Sequence, residues 1–187
     1  MKTIGASIAI RNAISHDFCI EECIRSVEPI CKEIVVADHD SDDGTWELME
    51  KLRDQIPKII LLRYISPLPN NDGLYVMTWT NWIRERLSTD YNLQMDADEV
   101  LHEKSLEKLE HMVQREGDVA LLMRRWNFWL DTKHVVPFDK LCAQSVLRVA
   151  PRWCWLPADV PLPQGQDAMD RQVSALDLEI FHYGFLR

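Results

Sequence analysis

The first 116 residues alternate between short apolar runs and amphipathic segments, and this alternation most constrains the fold. Apolar runs rich in β-branched residues predict four strands, at residues 3–10, 33–38, 58–65 and 91–96. Apolar residues at helical spacing predict helices at residues 15–27 (with Ser15 as N-cap), 44–56, 74–87 and 104–116. Parallel strands need crossover connections, so this order predicts a mostly parallel, Rossmann-like sheet in a three-layer α/β/α fold.

The pattern changes after residue 116. Further strands are predicted at residues 118–130, 141–150 and 176–185, and the proline-rich residues 156–172 predict a loop or lid. A chain of 187 residues, 47% of them hydrophobic, fits a single domain spanning residues 1–187. We predict a ligand-binding half at residues 1–116 and a second half at residues 117–187 that is short at its C-terminus.

Composition excludes several classes of protein. A net charge of −9 argues against nucleic acid as the main partner, because phosphate binding needs clustered Lys and Arg. No apolar stretch approaches the roughly 20 residues of a transmembrane helix, and the N-terminal apolar run is too short for a signal peptide. Five cysteines without a CxxC pair predict reduced thiols. We expect a cytoplasmic protein, with peripheral membrane attachment as an alternative.

Acidic residues follow two of the predicted strands. "ADHDSDDGT" (37–45) follows the second strand and "DADE" (96–99) follows the fourth. Ligands of open α/β sheets bind at the carboxyl ends of the strands. In an extended chain Asp96 and Asp98 project to the same side, and paired carboxylates suit Mg²⁺ or Mn²⁺. For Glu99 the better interpretation is a structural partner of the following helix.

Two other ion and phosphate motifs are not met. An EF-hand loop beginning at Asp38 needs Gly at its sixth position and Glu at its twelfth, where this chain has Asp43 and Met49. No GxGxxG and no GxxxxGK[ST] occurs in the sequence. A bound diphosphate would therefore have to be neutralised by a metal ion and scattered hydrogen-bond donors.

Four segments together resemble a family 2 glycosyltransferase with the GT-A fold. They are "SIAIRNA" (7–13), "EIVVADHDSDDGTWELM" (33–49), "TNWIRERLSTDYNLQMDADEVL" (80–101) and "EIFHYGFLR" (179–187). The resemblance implies metal-dependent, inverting transfer of a sugar from a nucleotide-diphosphate sugar, UDP- or GDP-linked, to an acceptor hydroxyl. The acceptor, whether glycan, lipid-linked or protein, is left open.

The resemblance also implies roles for single residues. The nucleotide-sugar pocket would be lined by Arg11, Asn12, Asp38, Asn81 and Asp96. Within this set, Asp38 would bond the base, and Asp96 would face the ribose or the water shell of the metal. Asp98 of the DxD motif would ligate Mn²⁺ or Mg²⁺, and His182 of "HYGF" would approach the metal and diphosphate.

The general base is the least defined role. Among the acids of the second half we choose Asp159, which follows the Trp-containing segment 152–155. Ala158-Asp159 stands where relatives have His-Glu, so a non-catalytic nucleotide-sugar-binding domain is an alternative. A second alternative is a haloacid-dehalogenase-type phosphatase, in which Asp38 would be the nucleophile and Asp40 the general acid.

Overall fold

The computed structural model of the chain describes residues 1–65, 73–115, 120–136, 145–151 and 172–184. Nine strands in these residues form one sheet. The strands are β1 (Ile4–Ile10), β2 (Cys31–Asp38), β3 (Ile59–Arg63), β4 (Tyr91–Asp96), β5 (Glu99–Leu101), β6 (Ala120–Trp129), β7 (Asp131–Val135), β8 (Ser145–Pro151) and β9 (Gln172–His182). The helices are α1 (Ile20–Val27), α2 (Thr45–Gln55), α3 (Gly73–Arg84) and α4 (Leu106–Arg115).

The first half of the sheet has the predicted parallel arrangement. Its strands lie in the order β3-β2-β1-β4, and each neighbouring pair is parallel. β1 and β2 are buried along most of their length, as expected for strands that are covered on both faces. The carboxyl ends of β1, β2 and β4 therefore meet at one edge, where ligands of this class of sheet bind.

The second half of the sheet is mixed. It continues from β4 in the order β8-β6-β9-β5, with β6 and β9 parallel and the other pairs antiparallel. The sequence did not predict the three-residue strand β5 or β7, which pairs with β6 at the sheet margin. β9 begins at Gln172, four residues before the predicted strand. Of the predicted loop or lid at 156–172, residues 156–171 lie outside the described residues, and Gln172 belongs to β9.

Helices cover both faces of the sheet, which confirms the predicted three layers. On one face, α1, α2 and α4 pack against apolar side chains of β1, β2 and β4, such as Ile8 and Met95. On the other face, Trp79 and Ile83 of α3 pack against Val35 of β2. In the described part of the chain, no helix is long and apolar enough to cross a membrane.

The predicted start of the first helix is wrong. α1 begins at Ile20 with Cys19 as its N-cap residue, and Ser15 lies in the preceding loop. The Ser15 amide donates to Asp43 Oδ2 at 2.7 Å, and its hydroxyl donates to the Asn12 carbonyl at 3.1 Å. The Ser15 side chain is thus used within a turn, in competition with helix capping.

Candidate functional site

The two acidic segments lie at the same edge of the sheet. In the strand register Asp38 of β2 is level with Ile10 of β1, and Asp96 of β4 is level with Ala9 of β1. The acids therefore flank the carboxyl end of β1 from either side. The expectation that strand order would bring them to one edge is confirmed.

At the end of β2, Asp38 is neutralised by the protein itself. Its carboxylate is fully buried and accepts hydrogen bonds from Arg63 Nη1 at 2.9 Å and from the hydroxyl of Ser41. The half-exposed Arg63 guanidinium also lies over the Trp46 ring, 4.0 Å from its centroid. A nucleotide base that binds here would contact the half-exposed Arg63 before it reached the buried Asp38. The predicted contact between Asp38 and a base stays a prediction.

The loop after β1 is joined to the loop after β2. The side-chain amide of Asn12 donates to Asp42 Oδ1 at 3.0 Å, and its carbonyl accepts from the Asp42 amide at 3.1 Å. Asn12 has a φ of 49°, in the left-handed region that Asn tolerates better than most residues. Arg11 beside it is exposed. Of these two predicted pocket residues, Arg11 is exposed to solvent and Asn12 holds the loops together.

Two other predicted site residues, Asn81 and Asp159, are not at the strand ends that the structure describes. Asn81 lies within α3 and is 3% exposed. Asp159 lies outside the described residues. Their proposed roles stay predictions.

The prediction that Glu99 is a partner of the following helix is wrong, because this residue belongs to strand β5. Its side chain is fully buried, and one oxygen lies 3.4 Å from Nη1 of Arg125, which is itself 9% exposed. The other oxygen accepts from the Asp96 amide at 3.2 Å. Glu99 therefore stabilises the turn between β4 and β5, and its charge is balanced by Arg125 of β6.

Asp98 and His182 meet at this turn. Asp98 Oδ2 lies 3.3 Å from His182 Nε2, and both side chains are partly exposed, at 16% and 13%. Antiparallel pairing of β5 with β9 places His182 level with Glu99, and the Tyr183 amide donates to the Asp98 carbonyl at 2.9 Å. Two residues that are far apart in sequence are thus brought together by the pairing of one short strand with β9.

The donor set of this pair fits Mn²⁺ or Mg²⁺. It offers one carboxylate oxygen and one imidazole nitrogen at the open edge of the sheet. Among the described residues, no cluster of three or more His, Cys, Asp or Glu is arranged to hold a metal ion. Ions of this kind commonly take one or two protein ligands and fill their remaining positions with water and substrate phosphates. Asp98 and His182 would hold the ion from the protein side.

Two cysteines lie beneath the same turn. The Cys23 thiol is directed at the Asp96 carbonyl oxygen, 3.4 Å away. Burial raises the pKa of the Cys19 thiol to about 12, and the negative charge of Asp98 adds to the effect. Burial likewise raises the pKa of Cys23 well above its ordinary value. In the metal-free protein both thiols therefore stay protonated near neutral pH.

Sequence reasoning missed several residues around this site. Arg125 and Asn127 alternate along β6 on the face that carries Glu99, and Asn127 is level with His182 in the pairing of β6 with β9. Asn127 is 3% exposed, and its Oδ1 has no hydrogen-bond partner within the described residues. The period-two spacing of Arg125 and Asn127, in a strand whose other residues are apolar except Arg124, was the available signal.

Solved structures of similar fold include those of S. aureus TarS. The structure of S. aureus TarS 1-349 has a TM-score of 0.67 at 14% identity, and the match covers 97% of this chain and 60% of that chain. The structure of TarS 1-349 in complex with UDP gives 0.67 at 15% identity, covering 97% and 60%. Its complex with UDP-GlcNAc gives 0.67 at 16% identity, covering 97% and 58%. Identities this low show the GT-A fold alone.

Sequence comparison shows the family. The chain spans about 60% of the length of these TarS structures. No curated protein matches the sequence. The sequence model described as Glycosyl transferase family 2 matches residues 17–140, which is more than half of the chain. The chain therefore belongs to glycosyl transferase family 2.

Proposed function

We propose that this protein transfers a sugar from a nucleotide-diphosphate sugar to an acceptor hydroxyl, with inversion at the anomeric carbon and with a divalent cation at Asp98 and His182. The proposal is carried by one observation: the contact between Asp98 Oδ2 and His182 Nε2 at the carboxyl edge of the sheet. Family membership supports the reaction class, and the position of the pair supports the place at which a diphosphate would bind.

A UDP-sugar is the first donor to test. Structures of similar fold include complexes of S. aureus TarS with UDP and with UDP-GlcNAc. In this chain, the base side of the pocket would be bounded by Arg63 and Trp46, which lie against one another at the end of β3 and the start of α2. GDP-sugars are the alternative donors, and the acceptor is left open.

The residues of the site divide the work of the reaction. Asp98 and His182 would hold the diphosphate end of the donor through the cation, which when bound supplies Lewis-acid stabilisation to the leaving group. Inverting transfer also needs a general base that takes the proton of the attacking hydroxyl. We retain Asp159 for that role. Buried Glu99 keeps the turn that carries Asp98 in place.

The phosphatase alternative is overturned by the family match. It also requires Asp38 to attack a phosphate, whereas this carboxylate is fully buried and bonded to Arg63 and Ser41. The non-catalytic binder stays a distinct hypothesis, because it shares the donor site and lacks only the base. Hydrolysis of a UDP-sugar in the presence of Mn²⁺, however slow, would contradict it.

The test is titration calorimetry of UDP binding with Mn²⁺ and with chelator. We expect binding in Mn²⁺ only, and we expect Asp98→Ala to weaken it by more than the roughly 10- to 100-fold that is lost when a residue supporting a metal ligand is changed. Asp177→Ala is the matched control, because it removes a half-exposed carboxylate from the same strand as His182, outside the site. Equal affinity in Mn²⁺ and in chelator would overturn the metal site.

A further inference from the structure

Gly184 lies against both members of the Asp98–His182 pair. A Cβ atom built on Gly184 would lie 2.5 Å from Asp98 Oδ2 and 2.9 Å from both Nε2 and Cε1 of His182. Real Cβ atoms essentially never come within 3.0 Å of such atoms. Any other residue at position 184 would therefore force the carboxylate or the imidazole to move.

The backbone conformation does not explain this glycine. Among the glycines in the described residues, only Gly44, with a φ of 92°, has the left-handed conformation that favours glycine. Gly184 lies two residues after the end of β9 at His182, with φ outside that region. The requirement at position 184 is thus one of space beside the pair.

The segment that carries Gly184 is held in place. The Tyr183 amide donates to the Asp98 carbonyl at 2.9 Å. The Phe128 ring packs against Phe181 and Tyr183, with ring centroids 5.5 and 5.2 Å away. These contacts fix the backbone on either side of His182. A new methyl group would be accommodated by rotation of the two side-chain ends, because these move more easily than the strand.

We propose that Gly184 is a positioning residue for the cation and diphosphate: its missing side chain keeps open the space in which the Asp98 carboxylate and the His182 imidazole converge. The inference rests on the proposed function for the identity of the ligand, a divalent cation bound together with a nucleoside diphosphate. The contact between the two side chains does not depend on a ligand, because it is made within the chain itself. Gly184→Ala should separate the pair without unfolding the sheet.

Gly5→Ala provides a matched control. A Cβ on Gly5 would lie 2.5 Å from Thr89 Oγ1 and 2.7 Å from Leu87 Cδ2, so the crowding is similar. Gly5 lies near the start of β1, at the end of the sheet away from Asp98. The control therefore adds the same methyl group at a similarly crowded position, and the side chains that it would displace lie outside the site.

The experiment has two readouts on the full chain. Electron paramagnetic resonance of Mn²⁺ in the presence of UDP should show affinity reduced at least tenfold in Gly184→Ala and unchanged in Gly5→Ala. In the metal-free protein, the NMR signals of the His182 ring should shift in Gly184→Ala and stay in place in Gly5→Ala. The second readout requires no ligand and no activity.

The outcomes distinguish a failure of the role proposed for Gly184 from a failure of the proposed function. Wild-type affinity for Mn²⁺ in Gly184→Ala would overturn the role of Gly184 while leaving the proposed function intact. If the wild-type protein itself fails to bind Mn²⁺ and UDP, the proposed function fails, and unchanged His182 signals would overturn the positional role separately. If Gly184→Ala does not fold, Asp98→Ala/Gly184→Ala should restore folding by removing the closest contact, and failure to do so would overturn the inference.

Discussion

The acids at the ends of β2 and β4 are similar in sequence but are neutralised in different ways. At β2, Asp38 is fully buried, and its cation is Arg63, which is half exposed and reaches over from the neighbouring strand. Beyond β4, the fully buried acid is Glu99 at the start of β5, and its cation, Arg125, is also almost completely buried. Asp98 beside it stays partly exposed and contacts His182.

The difference separates structural acids from candidate ligands. A buried carboxylate with a fixed cation in the same protein has its charge balanced internally, and removing the partner leaves an uncompensated charge. A partly exposed carboxylate at the open sheet edge can bind an external cation together with its neighbour. By this criterion Glu99 belongs to the scaffold and Asp98 is the residue placed to bind a cation, while the contact of Asp38 with a nucleotide base stays a prediction.

The largest effect is expected for Arg125→Met. The substitution keeps an aliphatic stem of similar length but leaves the Glu99 carboxylate buried without its cation, so stability should fall by about 3–5 kcal/mol. Urea unfolding followed by circular dichroism measures the loss. Adding Glu99→Gln should recover a large part of it, because the uncompensated charge is then gone.

Arg124→Met is the neighbouring control. Arg124 lies on the other face of β6, and its guanidinium lies 5.3 Å from the Trp126 ring centroid, a contact worth about 0.5–1 kcal/mol at an accessible site. If the Arg124 and Arg125 variants lose equal stability, Glu99 does not depend on Arg125 for its charge balance. The contrast between the two strand ends would then have no energetic basis.

A smaller effect is expected for Arg63→Met. Asp38 would lose a charged donor but keep the Ser41 hydroxyl, and the half-exposed position of the guanidinium lets water take its place. The cost should be about 1–3 kcal/mol. In the same unfolding experiment, the free energy of unfolding should therefore be lower for Arg125→Met than for Arg63→Met. The reverse order would show that exposure of the cation is the wrong criterion.

Much of the parallel half was predictable from local pattern. Buried parallel strands are continuous apolar runs, and each helix has a separate amphipathic period, so β1 to β4 and the helices between them were found within a few residues. β5 was missed because three residues carry no periodicity, and it forms only because β9 is present to pair with it. Its existence depends on a contact with residues some 80 positions away, which no local window contains.

The site was predictable to the same extent. Position after a strand was enough to identify Asp38, Asp96 and Asp98 as acids of one edge. It was not enough to say which acid would be buried, because Arg63 and Arg125 come from other strands. The misassignment of Glu99 follows from this: its sequence neighbours indicated a helix entrance, and its partner lies on β6.

The smallest effect concerns Asp43, an acid of the β2 loop whose charge is met by hydrogen-bond donors. Its carboxylate accepts from the Thr45 hydroxyl and amide at 2.6 and 3.0 Å and from the Ser15 amide at 2.7 Å. Desolvation opposes ionisation, but the hydrogen bonds from Thr45 and Ser15 outweigh it and lower the pKa of Asp43 from 3.8 to about 2. Because the folded-state pKa is depressed, the stabilisation is present above pH 4 and is lost as the pH falls towards 2.

Asp43→Asn should therefore cost about 1 kcal/mol at pH 7, as the loss of a capping carboxylate does, and the cost should shrink as the pH falls from 4 through 2. Unfolding midpoints of wild type and variant at several pH values measure this, since the titration of all other groups cancels in the difference. Asp40→Asn is the control, because it changes an exposed acid of the same loop at a φ of 52° that Asn also tolerates. A difference between Asp43→Asn and wild type that stays constant from pH 7 to 2 would show that the side-chain shape matters and its charge does not. In that case the stability contributed by Asp43 would not depend on its charge, whereas the stability contributed by Asp38 and Glu99 would.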